Sequence, residues 1–231
     1  MRAPLAACLA CVAALIALAC LAYAVGPSER LDARLLGKLA PHGDTALGWP
    51  AEVFAHLGDP VALLLLLAAA CGVALVRGRT GDAAAAVAVV AGANITTQIL
   101  KVLLAHPRYH PSLGGFQVHG NAFPSGHATA AASIAVAWLF VVPSHRLRLT
   151  VALGAGFYLA VGCSVVLLDW HYPSDVAAGL LVAAGWGFAV LAARRALPPG
   201  DRGRRGTAGE DGDGGSARLG DYEERAAIAV K

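Results

Sequence analysis

The strongest constraint on this chain is a series of long apolar runs, near residues 4–25, 58–76, 83–105, 125–143, 149–168 and 174–193. A helix that crosses a bilayer needs about 20 mostly apolar residues. The runs approach or meet that length. Composition agrees, with 57% of residues hydrophobic and 14% charged, where soluble domains carry about 25% charged residues. The expected fold is all-α: a polytopic membrane helical bundle of about six transmembrane helices over residues 1–197. The second run is the weakest, because its core "VALLLLLAAACGVALV" is short and Asp59 sits at its start. The first run also has the look of a secretory leader: Arg2, an apolar stretch, then "AYA". Its apolar stretch exceeds the roughly 7–15 residues of a leader core, so it is read as a retained helix.

From Pro198 the chain changes character: "PPGDRGRRGTAGEDGDGGSARLGDYEERAAIAVK". Glycine and mixed charge dominate, and such a segment buries too little apolar surface to offset the entropy of ordering it. Residues 198–231 are expected to be a disordered cytoplasmic tail. With six spans both chain ends share a side. That side carries Arg2, Arg77, Arg79, Arg146, Arg148, Arg194 and Arg195, while the other carries Arg30, Arg34, Lys38, Lys101 and Arg108. The tail adds further basic residues to the first side. Basic residues accumulate on the cytoplasmic side, so both termini are expected there. Segments 26–57, 106–124 and 169–173 then face outward as loops. The Ala, Gly and Arg bias points to a bacterial source, and hence to the plasma membrane.

Five of the eight histidines gather in two outer segments, 105–127 and 169–175: His106, His110, His119, His127 and His171. The five cysteines, Cys8, Cys11, Cys20, Cys71 and Cys163, all lie within apolar runs. An odd number so placed is neither a disulfide framework nor a zinc pattern. No basic stretch is interleaved with aromatics, so no nucleic-acid partner is expected.

Polar residues inside or beside the spans are the candidates for chemistry. Asn94, Thr97, Gln98 and Lys101 share a helical face and should point into the bundle, since lipid offers them no partners. Asn94 and Thr97 suit interhelical hydrogen bonds. Lys101 either snorkels to the interface or forms an anion clamp with Arg108. In "FPSGHATA" Pro124 and Ser125 signal a helix start with Ser125 as cap. Gly126 permits close approach, and His127 enters the first turn, where free N–H groups and the helix dipole favour an anion. The alternative is an ordinary capped helix with an interfacial histidine.

In "WHYPSDV" Pro173 and Ser174 signal a second helix start on the same side. A carboxylate on one imidazole nitrogen fixes the tautomer and raises the basicity of the other. Asp175 could so make His171 a nucleophile or base, or the pair could merely tie two helices together. Asp169 reads as surface charge. "HPRYH" at 106–110 has ligand-like spacing, but Pro107 interrupts it and no carboxylate cluster supports a metal. "NIT" at 94–96 lies within a span and is no accessible glycosylation site.

In their order and spacing these stretches resemble the type 2 phosphatidic acid phosphatase superfamily. Its first motif is Lys, six residues, Arg, Pro. Lys101 and Arg108 match, and Tyr109 replaces the proline. The second, Pro-Ser-Gly-His, is matched in full by Pro124, Ser125, Gly126 and His127. The third is Ser-Arg, five residues, His, three residues, Asp. Ser164, His171 and Asp175 match, and Val165 replaces the arginine. The motifs cover about residues 94–185.

The resemblance implies a hydrolase of phosphomonoesters or diphosphates that needs neither metal nor cofactor. His171 would attack phosphorus and form a phosphohistidine, Asp175 would orient it, and His127 would protonate the leaving oxygen. Lys101, Arg108, Ser125 and the Gly126 amide would hold the phosphoryl oxygens. The family arginine reaches the phosphate, and losing such a donor costs roughly 2.7–4 kcal/mol of transition-state stabilisation. His106 or His110 is the candidate replacement, with Ser164 a further auxiliary.

The expected function is that of a lipid phosphatase at the outer face of the membrane. Its partners would be the bilayer and a polyprenyl diphosphate or phosphatidic-acid-like lipid. A phosphotransferase using the same histidine, and a weakened family member acting as a scaffold, are the alternatives.

Overall fold

The structure, a computed structural model, describes residues 2–23, 27–39, 46–105, 109–110, 115–116 and 122–196. The tail beyond residue 196 lies outside the described residues. The helices, in chain order, are α1 (Arg2–Tyr23), α2 (Pro27–Leu39), α3 (Gly48–His56), α4 (Pro60–Val76), α5 (Thr80–Leu103), α6 (Gly126–Val141), α7 (Leu147–Leu167) and α8 (Pro173–Ala196). A two-residue strand pair, Tyr109–His110 with Gly115–Phe116, interrupts the chain between α5 and α6.

Each expected apolar run is a helix: α1 and α4 to α8. Four helical stretches are long and apolar enough to cross a membrane, and a fifth is gained if α3 and α4, which meet at 55°, form one bent span. A sixth span has to come from α6, which has only 16 residues. The described residues thus form a helical membrane bundle with four candidate spans, or five with the bent pair.

The expected outer loop over 26–57 is a correction, because it contains α2 and α3. The α2 helix is amphipathic, turning Ala33 and Leu36 inward against Val166 of α7 and Tyr172. Arg34, Leu35 and Lys38 remain exposed. The spacing of three from Ala33 to Leu36 gives that one-sided face.

The α6 helix lies at the centre, packed against α4, α5, α7 and α8. Its many alanines let neighbouring backbones approach closely, as small residues do in membrane bundles. A Cβ at Gly179 of α8 would meet the Thr129 amide nitrogen at 2.8 Å, so this crossing requires glycine. The α1 helix lies along α8.

At one end of the bundle, Arg77 and Arg79 donate to the Val141 carbonyl at 3.5 and 3.2 Å. Beside them Arg79 and Arg194 both pair with the buried Asp82, Arg194 at 2.7 Å. A buried carboxylate is costly in such a bundle unless it is paired, and here two cations tie it to α4–α5 and α8.

Within α5, Asn94 Nδ2 donates to Ser133 Oγ at 3.2 Å, and the Thr97 and Thr129 hydroxyls meet at 3.0 Å. Both follow the expected inward stripe. Gln98 does not, and is exposed. The packed face is centred on the buried Ala93 and Thr97, and at about 100° per residue Asn94 lies on its edge and Gln98 beyond it. Thr96 has the interhelical partner instead, accepting from Trp186 Nε1 at 2.9 Å.

Candidate active site

The opposite end gathers the chemistry, beginning at the close of α7. Trp170 N–H donates to the Val165 carbonyl at 2.9 Å and Asp169 N–H to Val166 at 3.1 Å. This is the Schellman termination of a helix, which needs a left-handed residue after the cap. Asp169 supplies it, with φ 60°, a conformation that Asp tolerates better than most residues. Asp169 therefore turns the chain sharply. His171 N–H also reaches the Val165 carbonyl, at 3.1 Å. Position 165 thus anchors the turn through its backbone, while its valine side chain is wholly buried.

The α8 helix starts immediately afterwards at Pro173, whose missing N–H and fixed φ suit a first helical residue. Asp175 Oδ2 reaches back to accept from Tyr172 N–H at 3.0 Å, one half of a capping box. The same oxygen lies 3.4 Å from His171 Nδ1. Asp175 is fully buried and His171 nearly so. The Ser125 N–H donates to the Asp175 carbonyl at 3.0 Å, joining the starts of α6 and α8. A further cap comes from far along the chain: Asp32 on α2 accepts from Ser174 N–H at 3.2 Å and from the Ser174 hydroxyl.

At the start of α6, Ser125 Oγ accepts from Ala128 N–H at 3.3 Å, as expected of a cap. The residue is buried. Lys101 lies over this helix start, its Cε 3.9 Å from where a Cβ of Gly126 would stand. The ring of His127 faces that of His171 with centroids 6.3 Å apart at 62°. The α3–α4 break closes the site from the other side. Asp59 Oδ1 is 3.1 Å from His127 Nε2, and Asp59 Oδ2 is 2.8 Å from His56 Nδ1. Trp170 packs against His127 at 5.6 Å between ring centroids.

Lys101, Ser125, Gly126, His127, His171 and Asp175 therefore converge from three helices. Ser164 does not join them, since its hydroxyl donates back to Ala160 on its own helix at 2.7 Å. Arg108 and His106 lie outside the described residues, as do the side chains of His110 and His119. Among the described residues no group of three or more His, Cys, Asp and Glu is disposed to hold a metal ion.

Sequence reasoning missed Asp32, His56, Asp59 and Trp170 as site residues. Asp59 had left a signal as the charge that spoilt the start of an apolar run. Asp32 left only the amphipathic spacing of its neighbours.

The arrangement can bind and attack an anion. A carboxylate at Nδ1 of His171 directs the other nitrogen outward as a lone-pair donor. The N–H groups of the α6 start and the Lys101 ammonium supply positive potential beside it. Fold and site thus define a helical membrane protein with paired histidines at one bundle end.

The sequence profile of the PAP2 superfamily matches residues 82–198, and the chain belongs to that family. Membership places it among the phosphoric ester hydrolases. Among solved structures, a transmembrane PAP2-type phosphatidylglycerolphosphate phosphatase from Bacillus subtilis is similar. Its TM-score is 0.69 at 19% identity, over 83% of this chain and 97% of that one. LpxE from Aquifex aeolicus is similar with a TM-score of 0.56 at 21% identity, over 69% of this chain and 93% of that one. At such identities the likeness speaks for the fold. No match was found among curated proteins.

Proposed function

We propose that this chain dephosphorylates a membrane lipid through a phosphohistidine on His171. The observation that carries the reading is the meeting of His171, held at Nδ1 by the buried Asp175, with His127 across the site. The Nε2 lone pair of His171 attacks phosphorus. The bond from phosphorus to the leaving oxygen breaks with its electron pair on oxygen, and His127 supplies the proton. Water then attacks phosphorus, the P–N bond breaks with its pair returning to His171, and His127 takes the proton from water. Products are an alcohol, or a lipid monophosphate from a diphosphate, and inorganic phosphate. Lys101, the Gly126 amide, Ser125 and Arg108 hold the phosphoryl oxygens, which is the larger part of catalysis in phosphoryl transfer.

The substrate is a polyprenyl diphosphate or a phosphatidic-acid-like lipid. The similar Bacillus subtilis enzyme is named for a glycerol-based lipid phosphate of that class. A site at the bundle end suits a headgroup at the interface with its tails left in lipid. The bundle of residues 1–197 has six spans, α4 and α6 among them. The basic residues clustered at the far end, Arg77, Arg79, Arg194 and Arg195, support a cytoplasmic position for that end and for the 198–231 tail. The site then faces outward from the bacterial plasma membrane.

The test is phosphate release from phosphatidic acid and undecaprenyl diphosphate in detergent, with chelator present. Release is expected from the unmodified chain, and His171→Ala should fall to background. Equal release from both proteins would exclude His171 as the nucleophile.

A further inference from the structure

We infer that Asp59 is a positioning residue that favours the proton-bearing form of His127 and orients its ring toward the site. This deepens the proposed function and rests on its reading of His127 as the proton donor.

The first observation is a helix cap that does not cap. Asp59 occupies the N-cap position of α4, where an aspartate ordinarily accepts from its own helix's first N–H groups. Its side chain makes no such bond. Both carboxylate oxygens turn instead to histidines, Oδ1 to His127 Nε2 at 3.1 Å and Oδ2 to His56 Nδ1 at 2.8 Å. The α4 helix forgoes a stabilising contact, and the carboxylate goes to the site.

The second observation is the approach that makes this contact fit. A Cβ at Gly58 would stand 2.9 Å from His127 Cβ and 3.1 Å from its Cα. Any side chain there would drive the α3–α4 break away from α6. Glycine at 58 brings the following residue into reach of His127. Trp170 forms a wall across both histidines, 5.6 Å from His127 and 6.5 Å from His56 between ring centroids.

The chemistry follows from the charges around His127. Facing it among the described residues are Asp59 from the break, His56 beyond it on α3, Lys101 from α5 and His171 from the turn before α8. Partial burial of the ring disfavours an imidazolium most, and any positive charge on His171 and the ammonium of Lys101 add to that. Asp59 is the carboxylate in contact with the ring, and an opposite charge at this range favours the protonated form. A general acid has to carry its proton when the leaving oxygen arrives. The oxygen then takes over the Nε2 hydrogen bond from Asp59. His56 fixes the second carboxylate oxygen and so the direction of the first.

The experiment uses the full chain in detergent micelles and two readouts. Without substrate, the imidazole resonances of His127, assigned by comparison with His127→Gln, are followed by NMR against pH. In Asp59→Asn the ring should lose its proton at lower pH than in the unmodified chain, and Asp59→Glu should restore most of the difference. With phosphatidic acid, Asp59→Asn should lower kcat by roughly ten- to 100-fold, the range for partners that orient a histidine. KM should change little, and the alkaline limb of kcat/KM should move to lower pH.

An unchanged His127 titration would overturn the inference, and so would a lost rate with the alkaline limb in place. The two readings fail separately. If His171→Ala keeps full release, the proposed hydrolysis fails. If His171→Ala is inactive while Asp59→Asn keeps its rate and its titration, only the role of Asp59 fails.

Discussion

His171 and Asp175 are four residues apart in sequence, and His127 and Asp59 are 68 apart. Both are histidine–carboxylate pairs at one bundle end, yet they are built on opposite plans. The first is buried, with side-chain exposures of 9% and 0%, and the second is open, at 26% and 40%. Burial decides how much each carboxylate can do. The same charge separation interacts several-fold more strongly where water is excluded than at the surface. The cost is desolvation, met for Asp175 by the Tyr172 N–H and the nearby Lys101 charge. Asp59 stays more exposed and incurs less cost, but its hold on His127 is weaker. In the proposed mechanism the nucleophile needs one fixed orientation, and the buried pair would give it. In the same proposal the proton donor exchanges its partner when the leaving oxygen arrives, and the open pair would allow that.

The largest expected effect tests this contrast directly. Asp175→Asn should lower kcat/KM by roughly 10³- to 10⁴-fold, the scale for a buried carboxylate that fixes a catalytic imidazole. That is at least tenfold beyond the loss expected for Asp59→Asn. Steady-state phosphate release from both variants measures it. Equal losses would mean that burial does not separate the pairs.

Next comes Val165→Arg, which restores the residue of the family motif. The side chain at 165 is wholly buried, and its carbonyl anchors the turn that carries Trp170 and His171. An arginine there places an unpaired charge in the core, at a cost on the order of 3–5 kcal/mol. The melting temperature in detergent should fall and activity with it. A stable, faster enzyme would show that residue 165 can swing into the site.

The contrast also explains what could be read from the sequence. The six apolar runs predicted helices because hydrophobic length is a property of each segment alone. The starts of α6 and α8 were legible for the same reason: Ser125 caps Ala128, and Asp175 reaches Tyr172, both within one helical turn. Asp59 was visible only as a charge that shortened a run. Its meaning depends on the fold bringing the α3–α4 break against α6, which no local pattern encodes. Asp32 was hidden in what read as a loop, because α2 is short and its partner Ser174 lies 142 residues away. Gln98 shows the converse failure. A shared helical face was predicted correctly for Asn94 and Thr97, but the width of that face is set by the packing of α6 and α8.

The smallest effect is expected at that remote cap. Asp32→Ala removes the acceptor for the N–H and hydroxyl of Ser174, and loss of such a cap costs about 1 kcal/mol. The first turn of α8 should loosen, and with it the buried Asp175 that orients His171. The rate should fall a few-fold, measured by phosphate release beside the melting temperature. His127 should be little affected, because its hydrogen bond runs to Asp59 at the α3–α4 break and its ring rests on Trp170 as well as facing His171, whereas Asp32 holds only the start of α8. The alkaline limb of kcat/KM should therefore stay in place while the rate drops. If Asp32→Ala moves that limb as Asp59→Asn does, the two pairs form a single mechanical unit, and the contrast between a fixed nucleophile and an exchangeable proton donor would have to be abandoned.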